Sequence, residues 1–450
     1  MPINTEYEKT FVSWYELVEV LESGAIPVGI NQSDIDPDGI ALPVAIDQDE
    51  IDPKGTRLPV ENGQSFDAFG RQEVSQITTQ LDLKQSAGEL TEFIDKVDVN
   101  GGSSTYNTSV GTTTLNVSAN GDRVIHQTFQ RTNYQTGKAK VIKMTFNGFQ
   151  SQTDVIKRVG YFSADYGSPY ETNLDGCWLE SESDEIYTNV YANGVATSST
   201  ASGDWNGEDI NGIDWSKNQL LKIEFAWLGV AAVKWSLFRN GKFVNFHTDI
   251  FDNTLTAPYM IFPNHPLRWE IQSDDGAGSF TYICSSAEIE GAENQLGKLR
   301  GIDRGTTHQN ANSTSNLYAN IGIALDETKA QSFRQTVVDI IGAQLLARTN
   351  DDFVWRLIRN PSISGTALSW NSVSNSGVKY FIGADDNLVT GGDVIQTGYI
   401  DGNGRDSIEV DNSIKLGVDL DGNPDVFVLA VQPITANLDI LSGINWRELD

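Results

Sequence analysis

A chain of 450 residues with 61 acidic against 31 basic side chains carries a formal net charge of −30. A phosphate backbone would be repelled by that balance, so direct nucleic-acid binding is excluded as an expectation. With 39% hydrophobic residues and 41 glycines the chain reads as globular, with length for two or three domains.

The first predicted element is a helix over residues 7–22, where Phe11, Trp14, Tyr15, Val18 and Leu21 fall on one face and Ser23-Gly24 ends it. Such a helix either packs on its own domain or docks on a partner. A repeat follows. Ile26-Pro27-Val28, Leu42-Pro43-Val44 and Leu58-Pro59-Val60 stand at 16-residue intervals, and Asp36-Pro37 and Asp52-Pro53 keep the same spacing between them. Each unit is a short apolar segment, an acidic linker and a Pro/Gly turn. A unit this small cannot bury its own apolar side and needs a partner surface. Residues 1–65 are therefore expected to form an assembly arm, with Trp14, Ile26, Leu42 and Leu58 as its apolar contacts.

The repeat contains Asp34 to Gly39, spelling D-x-D-x-D-G, the opening of a calcium loop. The twelfth position of that loop is Ala45, which cannot ligate, and the second copy carries Lys54 where the first has Asp38. A solvated acidic turn is the expectation.

Residues 66–295 read as an antiparallel β-sandwich: runs alternate polar and apolar, broken by Asn-Gly and Thr-Gly. "FAWLGVAAVKWSLFRNGKFVNF" (225–246) is expected to be a core hairpin turning at Asn240-Gly241. Phe225, Trp227, Val233, Trp235, Leu237, Phe243 and Phe246 are its candidate core residues, and Gly229 its bulge or bend. The loop "GDWNGEDINGIDWSKN" sets Trp205 and Trp215 among acids and amides. Tryptophans there either fill the core or stack on a sugar ring, which makes the two candidate glycan contacts. Residues 288–305 look like a polar linker. Residues 296–450 then read as a second, smaller sandwich, in which "DLDGNPD" (419–425) is a further acidic turn, with Pro424 and Ala430 at the sixth and twelfth positions of a calcium loop.

Chemistry-bearing patterns are sparse. Two cysteines, Cys177 and Cys284, and four histidines make neither a disulfide framework nor a zinc motif, and the thiols are expected to be reduced. There is no G-x-S-x-G and no phosphate-binding loop, and 61 acids make chance carboxylate pairs abundant. No catalytic residue, metal ligand or cofactor site is assigned. The N-terminus lacks the apolar core of a signal peptide, and no run of 18 apolar residues suggests a membrane span.

Several segments resemble structural proteins of tailed bacteriophages. "FDAFGRQEVSQITTQLDLKQ" (66–85) is similar to their "AFGRLRVS…FDSKQ", which also follows "LPV"-type repeats. "KRVGYFSADYGSPYETNLDGCWL" (157–179), "EFAWLGVAAVKWSLFRNGKFVNFHTDI" (224–250), "APYMIFPNHPLRWEI" (257–271), "ICSSAEIEGA" (283–292) and "TNDDFVWRLIRNPSISG" (349–365) match further segments in the same order, covering about residues 25–400. Gln72 and Glu73 depart from the pattern after "FGR", and Ser168-Pro169 alters the turn after Gly167. The resemblance implies a non-enzymatic virion component of tail, baseplate, neck, fibre or capsid-decoration type. It would be assembled in the bacterial cytoplasm with other virion proteins, as a homo-oligomer with trimers favoured. The alternative is a receptor-binding protein that binds or cleaves a host surface glycan. The expected architecture is mainly β: an N-terminal helix and repeat arm, then two antiparallel, jelly-roll-like sandwiches.

Overall fold

The computed structural model describes residues 77–293, 296–402, 404–410, 415–435 and 437–449. The expected helix, the repeats with Trp14, Ile26, Leu42 and Leu58, and the Asp34–Gly39 turn all lie outside the described residues. Residues 64–450 belong to one unit, built mainly of antiparallel strands.

Two sheets share the first core. One runs in the order Lys242–Asp249, Val233–Arg239, Gln219–Phe225, Lys140–Asn147, Gly278–Glu290, Thr112–Val117, Ser103–Asn107, and Ile77–Lys84 pairs with the far half of Gly278–Glu290. The other runs Val195–Ala201, Glu185–Ala192, Asp175–Glu182, Val155–Ser163, Leu267–Ser273, Arg123–Thr128, Ile94–Val99. Alternation supplies the core: Leu221, Ile223 and Phe225, with Val233, Trp235 and Leu237, meet Val159, Tyr161, Leu179, Trp269 and Ile271.

The expected hairpin is present. Val233–Arg239 and Lys242–Asp249 pair across Asn240 (φ 50°) and Gly241 (φ 81°), the two left-handed residues that let a two-residue turn follow the strand twist. Val233, Trp235 and Leu237 are fully buried on one face. Two candidate core residues are placed differently. Trp227 is half-buried, because the preceding strand ends at Phe225 and residues 226–232 form a loop containing Gly229 (φ 73°). Phe243 is half-buried because the register shifts between Trp235 and Ser236. Its ring packs edge-on to Phe238, which is itself exposed.

The second core lies between two further sheets. One is ordered Lys298–Asp303, Leu438–Leu449, Val337–Ala347, Arg405–Glu409, and Gln309–Ala311 also pairs with Leu438–Leu449. The other is ordered Ser362–Ser364, Leu388–Thr390, Tyr318–Leu325, Val426–Pro433, Phe353–Arg359, Asp393–Ile400, and Val378–Ile382 pairs with Tyr318–Leu325. Trp446, Ile340, Ile323, Leu357 and Leu429 fill the space between. The expected linker shortens. Gly278–Glu290 runs into it from one side and Lys298–Asp303 from the other. The latter is a strand through pairing with Asn445, Ile444 and their neighbours, more than a hundred residues away, which no local pattern announces.

The acidic turn 419–425 is a turn, and it also joins the two cores. Asp419 accepts from the Asn423 amide (2.7 Å) and side chain (2.8 Å), closing it. Leu420 N donates to Asp95 Oδ2 (2.6 Å), Gly167 N to the Leu420 carbonyl (2.9 Å), and the Tyr170 hydroxyl to Asp421 Oδ1 (2.7 Å). Leu420 packs with Ile125 and Tyr170. A short helix, Ala330–Gln335, adds an Arg334–Asp165 ion pair and a bond from Asn264 Nδ2 to the Gln335 carbonyl (2.9 Å).

Both cysteines are free thiols, Cys177 buried and Cys284 exposed. Burial pushes the Cys177 thiol up from its ordinary value. A thiol reagent is expected to modify Cys284 in the native protein and Cys177 only after unfolding. An intact mass, measured without reductant, that reveals a bridge between the two would contradict this.

Candidate functional site

The segment between Val195–Ala201 and Gln219–Phe225 crosses the edge strand Lys242–Asp249 and is fastened to it. Gly207 N donates to Phe246 O (2.9 Å) and Glu208 N to Asn245 O (2.8 Å). Asn206 and Thr248 exchange two bonds, Nδ2 to O at 3.0 Å and N to Oδ1 at 2.9 Å. Position 207 has no room for a side chain: a Cβ there would lie 2.4 Å from Asn245 O. Asp209 accepts from Asn211 N (2.6 Å) and Nδ2 (2.9 Å), and Asp214 from Ser216 N (3.0 Å). The Ser216 hydroxyl, then its amide, hold the Asp214 carboxyl below its usual value. These Asx turns set the loop's path with short local bonds.

This loop, with Phe246, forms a cleft of about 460 Å³ whose lining includes Trp205, Trp215, Glu208, Asp209 and Asn211. Trp205 and Trp215, ten residues apart in sequence, are thus brought to one concavity. Both are half-buried, and both also pack against the first core. The Trp205 ring lies 4.4 Å from Phe246, and its Nε1 donates to Thr200 O (3.2 Å). Trp215 has its ring 6.4 Å from Phe149 and accepts the Phe149 amide on its carbonyl (2.8 Å). Filling the core and lining the cleft are therefore not alternatives; each tryptophan does both. Half-buried aromatics beside fixed amide and carboxylate acceptors can stack on an apolar ring face and receive its hydroxyl protons.

A second constellation has no signal in the sequence. Ser163 Oγ is 3.1 Å from His265 Nδ1, and His265 Nε2 is 3.0 Å from Asp175 Oδ2, off the line of a straight hydrogen bond. The residue types are those of a nucleophilic triad. All three side chains are buried, however, so a substrate could not reach the hydroxyl without the fold opening. Asp175 also accepts the amides of Asn193 (2.9 Å), Ile261 (2.8 Å) and Phe262 (2.9 Å). Burial alone would raise its pKa; His265 and the Ile261 and Phe262 amides outweigh burial and lower it. Burial also lowers the pKa of His265. The group fastens the 250–266 loop to two strands.

On the opposite face of the same sheet lies an ionic cluster. Glu270 accepts from Arg123 Nε (2.8 Å), from Arg268 Nε (3.0 Å) and Nη2 (2.7 Å), and from Arg158 Nη1 (3.0 Å). Arg123 also reaches Glu171 (2.8 Å), and Arg158 pairs with Glu180. Among the described residues, no group of three or more His, Cys, Asp or Glu stands in a metal-binding arrangement, and no described helix is long and apolar enough to cross a membrane.

No family model matches the chain, and no curated protein matches it. Solved structures with some similarity include the legume lectin-like domain from Entamoeba histolytica, at 11% identity over 49% of this chain and 100% of that one, TM-score 0.32. Bacillus licheniformis beta-glucanase gives 13% over 49% and 98%, TM-score 0.32. Arcelin-5, a lectin-like defense protein from Phaseolus vulgaris, gives 8% over 47% and 99%, TM-score 0.32. At scores this low, nothing of those proteins' function is carried over.

Proposed function

We propose that this chain is a non-enzymatic structural component of a tailed-phage particle, and that its first sandwich binds a host-surface glycan in the Trp205–Trp215 cleft. The cleft carries the binding half of the reading: two half-buried tryptophans in a largely polar lining, with acceptor groups held by local turns. The virion half rests on the ordered phage-like segments from the repeats to the "TNDDFVWRLIRNPSISG" stretch. In this reading residues 1–65 attach the chain to other virion proteins, and copies associate with one another. The buried Ser163–His265–Asp175 group has no part in catalysis.

Titrating host polysaccharide into the protein, followed by tryptophan fluorescence, is expected to give saturable binding. Trp205→Ala and Trp215→Ala should each weaken it about tenfold, the loss of one stacking contact at ~1.4 kcal/mol. Absence of saturable binding, or alanine variants that bind like the parent, sinks the glycan-binding reading. Release of reducing ends during the titration would show a glycan-cleaving protein instead.

A further inference from the structure

Resting on the glycan-binding reading, the lining of the cleft also selects the class of glycan. We infer that the site takes uncharged sugars and rejects polymers bearing carboxylates, sulfates or phosphates. Of the charged residues that line it, Glu208 and Asp209 are both exposed acids, and no lysine or arginine is among the lining residues. Residues 202–218 hold four acids, Asp204, Glu208, Asp209 and Asp214, against one base, Lys217, a local balance of −3. Two cations stand at the edge of the cleft, each already paired with a lining residue. Lys242 lies 3.6 Å from Glu208 Oε2, and the Arg239 guanidinium donates to the Asn211 carbonyl (3.4 Å). A polyanion entering this cleft would meet the Asp209 carboxylate and a Glu208 carboxylate that already occupies Lys242, inside a chain of net charge −30. Carboxylate and amide oxygens are acceptors, suited to the hydroxyl donors of a neutral hexose. An anionic sugar would need guanidinium or ammonium donors; none is among the lining residues, and Lys242 and Arg239 at the edge are paired with Glu208 and Asn211.

The test uses the full chain and defined polymers: dextran and galactomannan as uncharged probes, alginate and polysialic acid as acidic ones. At low ionic strength, uncharged polymers are expected to bind at least about tenfold more tightly, and salt should narrow the gap by screening. Glu208→Gln combined with Asp209→Asn, the second keeping an acceptor for the Asx turn, should raise binding of the acidic probes. Acidic probes binding the parent protein as well as the uncharged ones, in a Trp205-dependent way, would overturn this inference and leave the glycan reading standing. No probe of either class binding would remove both.

Discussion

Trp235→Ala is expected to destabilise the protein by ~3–5 kcal/mol, the cost of emptying a large aromatic site in a packed core. Trp235 is fully buried at the centre of the first core, between Ile223 across one strand pair and His247 across the other. Its Nε1 donates to Asp249 Oδ2 (2.8 Å), and Asp249 Oδ1 is taken by Ser198 and His247 (3.2 Å). The truncation therefore leaves a cavity and also removes one donor from a buried carboxylate. Trp205→Ala removes a half-buried ring and should cost markedly less. Calorimetry of the two variants checks this: equal melting temperatures would mean that the hairpin register, and the core assigned to it, is wrong.

Removing the negative charge at Glu270 is expected to be comparably damaging. Glu270→Gln keeps the shape but leaves Arg123, Arg158 and Arg268 facing one another without their shared counter-ion, a loss of ~3–5 kcal/mol for a broken buried pair. The pH dependence has a definite sign. Burial alone would raise the Glu270 pKa; Arg123, then Arg268, then Arg158 outweigh burial and hold it well below its ordinary 4.5. The folded state thus binds fewer protons than the unfolded state around that pH. The stability it contributes is complete above about 4.5 and drains away as the pH falls toward the folded value. Denaturant unfolding at neutral and acidic pH should show a steep loss in the parent and a shallower one in Glu270→Gln. Parallel pH profiles would contradict the role given to the cluster.

Local signals in the sequence led to local structure. Asn240-Gly241 announced its turn, Val233, Trp235 and Leu237 announced their face, and the density of tryptophan, acid and amide around 204–215 pointed to the loop that forms the cleft. What was not legible depends on partners far away along the chain. Glu270 draws its meaning from Arg123 and Arg158, 147 and 112 residues distant. His265 lies 102 residues from Ser163. Lys298–Asp303, read as linker, is a strand only because Leu438–Leu449 pairs with it. Trp227 and Phe243 show the same limit on a smaller scale: composition made them core, while a loop and a register shift moved them toward the rim.

The pairing of distant strands bears on the order in which the chain can fold as it leaves the ribosome. The opening strand of the first sandwich, Ile77–Lys84, finds its partner in Gly278–Glu290, so that sandwich can close before the second has been synthesised. One sheet of the second closes only with the last described strand. Leu438–Leu449 sits inside its sheet, between Lys298–Asp303 and Val337–Ala347; Val337–Ala347 can first pair with Arg405–Glu409, but Lys298–Asp303 waits for Leu438–Leu449. The 419–425 turn would then settle onto a finished first sandwich. Translation that stops before Leu438 would give a product with the first core formed and one sheet of the second missing its central strand. Its unpaired edges would expose backbone donors and acceptors to chaperones, proteases and other copies.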